Sequence, residues 1–224
     1  GEFWKQVTTD QALRSLRITL EASLIVVLIN AVFGTIIAWL LVRDEFPGKT
    51  VVNAVIDLPF ALPTIVASLI LIELWGKQSP FGIDISLSRT AVVVALMFVT
   101  LPFVVRAVQP LLMEMDREME EAAASLGAGG LTIFRRIIFP NLLPGLAAGI
   151  ALAFARALGE FGSVLLFAGG LADTQVSSVY IKQLIETGNE GGAAAVSIVL
   201  LVASLACLLV VSLIQRWGNR HEAA

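Results

Sequence analysis

From Ala22 to Val42 the chain runs without a single charged residue, and from Gly191 to Gln215 it does so again. About 20 consecutive apolar residues are enough to carry a helix through the hydrocarbon core of a bilayer. In that core every backbone N–H and C=O must be satisfied internally, so such runs are read as helices. Three further apolar stretches, near Thr50–Trp75, Thr90–Met113 and Asn141–Gly170, carry only isolated charges. Five spans are therefore expected, in one all-α membrane domain covering residues 1–224. Composition agrees: 15% of residues are charged, against about 25% in soluble domains. A chain this apolar has too little polar surface to face water, so the lipid bilayer is its first partner.

Other function classes fall away. The net charge of −3 argues against a nucleic-acid partner. One cysteine, Cys207, and one histidine, His221, permit neither an internal disulfide nor a His/Cys metal site, so no metal is expected. "FPGKT" (Phe46–Thr50) has the end of a phosphate-binding loop, but the glycine needed five positions before Gly48 is Arg43. The chain is not expected to hydrolyse ATP or to hold a cofactor. Gly1–Arg17 lacks the basic and apolar regions of a signal peptide.

The spans are punctuated. "RDEFPGK" (Arg43–Lys49) ends the first. Pro59 and Pro63 fall early in the second, where proline removes a helix hydrogen bond. They are either packing kinks or the border of a pathway. Asp57 and Glu73 mark the start and end of the second run, and three charges lie deeper inside apolar runs: Arg106, Arg156 and Glu160. Intramembrane charges are costly and face a cavity or a partner. Arg156 and Glu160 are four apart, on one helix face, and can pair. They either line an anion path or form a structural pair. A path that bound its cargo tightly would release it slowly, so no high-affinity site is expected.

The polar segment at about 114–140 is unusual. Glu114, Asp116, Glu118, Glu120 and Glu121 make an acidic helix, and Gly127 is a natural stop for it. Gly129 and Gly130 extend the turn. "LTIFRRII" then repeats apolar residues at helical spacing, and Pro140 and Pro144 open the next span. A rigid helix–turn–helix knob outside the membrane is expected, suited to receive a push from a soluble partner.

Glu121-Ala122-Ala123, then Gly127, then Ile137-x-Phe139-Pro140 resembles the EAA loop of permease subunits of bacterial ABC importers. The family pattern has leucine where Phe139 stands. The resemblance implies a type I importer permease fold and a coupling role for Glu121, Ala122, Ala123, Gly127, Ile137 and Pro140, docking into a cleft on an ATPase dimer. "VFGTIIAWLLVRDEFPGK" (Val32–Lys49), "DLPFALPT" (Asp57–Thr64), "PFVVRAVQPLL" (Pro102–Leu112) and "ARALGEFGSVLLFAGG" (Ala155–Gly170) are similar to sulfate/thiosulfate permeases, and to their T-type subunit. "RALGEFG" (Arg156–Gly162) also occurs in molybdate and tungstate permeases.

What this resemblance implies is a transport subunit, not an enzyme. It would pair with a second permease, W-type or a second copy. An external sulfate-binding protein would deliver the anion, and ATP and Mg would be held by the partner ATPases. One further span, preceding residue 1, is expected from the same resemblance. The inner membrane of a bacterial cell is implied, with the EAA loop and the C-terminus cytoplasmic. That orientation puts Arg43, Lys49, Arg117, Arg135, Arg136, Arg216 and Arg220 inside, and Lys5, Arg14, Arg17, Lys77, Arg89 and Lys182 outside. The bias is too small to fix orientation alone. A molybdate importer and an ATP-independent transporter or channel are the alternatives, and the second gives no reason for the knob.

Overall fold

The computed structural model describes residues 1–222; between 211 and 222 the side chains, Leu213 excepted, lie outside the described set. The expectations for Arg216, Arg220 and His221 fall there. A short helix α1 (Glu2–Val7) leads into α2 (Asp10–Arg43), whose first turn is capped by the Thr9 hydroxyl. α2 has 34 residues, so the first apolar run is the inner part of a longer helix that begins in the stretch expected as an external segment. α3 (Lys49–Ala61) and α4 (Thr64–Trp75) follow, then α5 (Arg89–Glu114), capped by Ser88. α6 (Arg117–Ser125) and α7 (Gly130–Ile133) make the polar segment. α8 (Phe139–Leu158), α9 (Gly162–Phe167), α10 (Ser177–Glu186) and α11 (Glu190–Glu222) complete the chain.

Four helical stretches among the described residues are long and apolar enough to cross a membrane: Asp10–Arg43, Arg89–Glu114, Gly130–Leu158 and Glu190–Val210. The second apolar run corrects the expectation of a continuous span, because it is two short helices. Leu62 and Pro63 are extended between α3 and α4. Proline biases the residue before it away from the helical region, and Leu62 obeys. Pro59, by contrast, stays inside α3. The fourth run is also broken. α8 stops at Leu158, and Phe161 takes φ −126° and ψ −57° before α9 begins. The two breaks meet: a Cβ on Gly162 would lie 2.3 Å from Thr64 Oγ1 and 2.9 Å from the Ile65 amide nitrogen. The stretch Leu171–Glu190, expected as a polar loop, contains α10.

α5 is the central post. α2 lies against one side of it, where a Cβ on Gly34 would come within 2.8 Å of Val104 Cγ1. α8 lies against another, through Gly145 and Gly149. A Cβ on Gly149 would stand 3.0 Å from Val104 Cα and 3.2 Å from Phe103 O. Small residues four apart let two backbones approach closely, and in lipid this packing, rather than exclusion of water, holds helices together. A buried polar link adds to it: Asn30 Nδ2 donates to Thr100 Oγ1 at 2.9 Å. Val104, Val105, Val108, Leu142 and Leu146 fill the core at the end near the knob, and Val26, Leu96, Val164 and Phe167 fill the other.

Candidate coupling surface and internal ion pairs

α6 begins where the Asp116 carboxylate accepts the Glu118 N–H at 2.9 Å, with Glu118 and Glu120 in the first turn, where the helix dipole favours negative charge. It ends in a paired-bond cap. The Ala128 N–H reaches Ala123 O at 3.0 Å and the Gly127 N–H reaches Ala124 O at 2.9 Å, with Gly127 at φ +85°. That cap needs a left-handed residue at Gly127, the conformation glycine adopts without penalty. A Cβ there would meet nothing within 4 Å. The turn therefore restricts this position by its dihedral angle, not by crowding.

The second half of the knob departs from the expectation of a separate short helix. α7 passes through a π-turn, Phe134–Ile138, straight into α8. The Phe139 N–H reaches back five residues to Phe134 O. Proline at 140 cannot donate and its ring crowds the preceding turn. A wider turn in front of it is one of the ways a helix absorbs such a residue. Glu121, Ala122 and Pro140 are exposed, and Ala123 and Ile137 are half-buried. Two apolar side chains stand out on this polar surface: Leu126 is 89% exposed and Leu131 76%. Exposed apolar groups of this size on a polar segment are candidates for contact with a partner.

The knob is tied to α2 by groups that sequence inspection did not single out as a pair. Arg43 Nη2 bonds to Glu120 Oε1 across 77 positions. The Arg43 guanidinium lies 5.4 Å from the Trp39 ring centroid, and Trp39 meets Phe134 edge-on at 6.2 Å. Only 9% of the Arg43 side chain is exposed. Glu120 precedes the motif residue Glu121 and points the opposite way, inward rather than out. Exchanging the charges tests the link. Arg43→Glu alone sets two carboxylates together at an enclosed site, and it is expected to cost about 3 kcal/mol. Arg43→Glu with Glu120→Arg should recover at least half of the lost melting temperature of the purified chain. No recovery would mean that the pair does not hold the knob.

The three intramembrane charges resolve into two clusters. Arg156 Nη1 lies 2.5 Å from Glu160 Oε2, although Glu160 sits past the end of α8 rather than on its face. The other Glu160 oxygen accepts the Ser163 N–H and hydroxyl, both at 2.9 Å, and so caps the first turn of α9. Ser178 of α10 donates to Glu160 O at 2.5 Å. The enclosed carboxylate thus joins α8 to α9, and the backbone carbonyl of the same residue holds α10. Arg106 is elsewhere, between α5 and α3. Nε and Nη2 hold Asp57 in a two-pronged bond at 2.7 and 2.6 Å. Nη1 donates to Gln109 Oε1 at 2.5 Å and to Asn53 Oδ1 at 3.2 Å, and Nη2 also reaches Asn53 O at 3.2 Å. Asp57 marked only the start of a span in the sequence; its partner lies 49 positions away, beyond any helical spacing.

Residues 30–221 match the family model described as "Binding-protein-dependent transport system inner membrane component". The "Sulfate transport system permease protein CysT" of Synechocystis sp. is 44% identical over 227 residues, 98% of this chain and 79% of the relative. The protein of the same name from Escherichia coli K12 is 40% identical over 229 residues, 98% of this chain and 83% of the relative. Among solved structures, a bacterial alginate ABC transporter chain superposes with a TM-score of 0.78 at 18% identity, covering 96% of this chain and 82% of that one. A chain of the inward-facing MetNI methionine ABC transporter gives 0.72 at 21% identity, over 92% and 95%. The structural likenesses speak for the fold, and the sequence matches for descent. Four long apolar helices, a projecting knob and these matches together make the chain a member of the family of inner-membrane components of binding-protein-dependent transport systems.

Proposed function

We propose that the chain is the membrane-spanning permease subunit of an ATP-driven importer for sulfate and thiosulfate. The observation that carries the cargo is the 40–44% identity to sulfate permeases across nearly the whole chain. The knob supports the ATP-driven part. Its outer surface offers Leu126, Leu131 and the exposed face of Glu121–Ala122 to a partner, and its inner surface is fastened to α2 through Arg43 and Glu120. ATP is bound and hydrolysed on two partner ATPase subunits. A second permease, of W-type or a second copy, completes the path, and an external binding protein supplies the anion. The knob and the C-terminus face the cytoplasm in this reading.

The chain's own part is mechanical. Binding of ATP can shift the permease between outward- and inward-open states only by as much as the partner's contacts favour one of them. Those contacts are made on the knob. A path for a dianion also has to avoid holding it, which agrees with internal arginines that are already paired.

Uptake of labelled sulfate by cells lacking this chain, with and without the gene restored, tests the cargo. Restored uptake that thiosulfate blocks more strongly than molybdate is the expected result. Restored molybdate uptake without sulfate uptake would keep the importer and overturn the cargo. Restoration of neither would overturn both.

A further inference from the structure

We propose that Arg106, with Asn53 and Gln109, forms a transient site for a tetrahedral dianionic oxyanion, and that Asp57 is its built-in competitor. This rests on the importer reading above and names where in the chain its cargo is met. The Arg106 cluster differs from the other two internal pairs in one respect. Arg43 is 9% exposed and Glu160 1%, so each of those pairs has an enclosed member. Arg106 and Asp57 are both open, at 33% and 49%, and Arg106 borders a cavity of about 490 Å³ between α2, α3 and α5. Asn53, Gln109 and Met113 line the same cavity, as does Lys49, whose ammonium is held by Glu45 at 2.9 Å.

The chemistry is that of a guanidinium fork. Two parallel N–H donors match a carboxylate, and they match two oxygens of a tetrahedral oxyanion equally well. Asp57 fills the fork now. A dianion entering the cavity brings twice the charge and can take over the same donors. The tethered carboxylate stays nearby at a high effective concentration and retakes the fork. Binding is thereby kept weak and release prompt, as conduction requires. α3 is built to allow the exchange. Ile56 is its one buried residue, and it joins α5 through Ile56, the Arg106 cluster and the Phe60–Phe103 ring contact at 5.0 Å. The extended Leu62–Pro63 link behind it separates its motion from α4.

The test is equilibrium retention of labelled sulfate by the membrane complex purified through this chain, with no binding protein present. Asp57→Asn is expected to retain sulfate about tenfold more tightly than the unmodified complex, since a charged competitor for a charge-assisted fork has been removed. Asp57→Asn combined with Arg106→Gln should lose that retention while still assembling. Unchanged retention in Asp57→Asn, or retention surviving in the double variant, overturns the site. If Asp57→Asn does not assemble, Met113→Cys in a Cys207→Ser background serves instead. Alkylation by a charged thiol reagent should slow in sulfate and not in chloride of equal ionic strength; equal rates overturn the site. Uptake separates the two readings. Sulfate uptake without retention rejects this site alone, whereas Asp57→Asn retaining molybdate but not sulfate supports the site and rejects the cargo.

Discussion

Gly127→Asp is expected to leave the permease assembled with its ATPase while uptake falls by roughly 5- to 30-fold, the factor corresponding to one or two kcal/mol. Two effects contribute to that loss. A residue with a Cβ held at φ +85° costs roughly 1–2 kcal/mol, relieved for aspartate by its local hydrogen bonding. The new carboxylate also faces outward beside Leu126, where the partner is proposed to sit, and an unpaired charge at such an interface is penalised on docking. Gly127→Asn separates the two, because asparagine tolerates the left-handed region and carries no charge. It should retain most of the uptake, and Gly127→Val should retain little. Uptake equal to the parent in Gly127→Asp, with normal ATPase association, would remove this glycine from the coupling machinery. The turn itself does not forbid a side chain there by collision.

Gly149→Leu is expected to be the more destructive change, acting on the fold rather than on coupling. The atoms a Cβ would meet are Ala107 Cβ and Val104 Cα at 3.0 Å and Phe103 O at 3.2 Å, none of which a side-chain rotation can move. α5 and α8 would have to separate, and overpacking of this kind costs about 1–3 kcal/mol for a few carbon atoms. Gly145 is expected to be at least as intolerant: the Leu111 side chain at 2.4 Å can turn aside, but the Ala107 carbonyl oxygen at 2.7 Å is backbone and limits even alanine. Melting temperature and the yield of monodisperse protein in detergent are the readouts. A Gly149→Leu protein that purifies and melts like its parent would show that the two helices are not held by this contact.

Four of the five expected spans and the first helix of the knob could be read from the chain because lipid imposes a one-dimensional code: an uncharged stretch long enough to cross has few alternatives. The breaks could not. The chain is apolar on both sides of Leu62–Pro63 and across Gly159–Phe161, and hydropathy does not encode a dihedral angle. Proline 63 signalled a disturbance without saying whether the helix would bend or stop, and Pro59, only four residues earlier, is simply carried inside α3. The ion pairs divide by separation. Arg156 and Glu160 are one helical turn apart, so spacing alone suggests they meet. Arg106 with Asp57, and Arg43 with Glu120, are brought together by the packing of whole helices, and a single sequence carries no record of that. The Trp39–Phe134 contact is hidden for the same reason.

The π-turn at Phe134–Ile138 has a mechanical consequence. Because the knob does not end before the membrane but runs on as one 29-residue helical stretch to Leu158, it is a lever with its load at the far end. At 1.5 Å per residue the arm is about 43 Å long. A tilt of about 5° imposed at Leu131 would swing the opposite end by roughly 4 Å, comparable to a one-turn register shift between packed elements. That end carries Arg156 and leads into Glu160, whose carboxylate caps α9 and whose backbone carbonyl accepts from Ser178 of α10. A small displacement at the knob would thus arrive, enlarged, near the place where Gly162 meets Thr64 and the two broken helices touch.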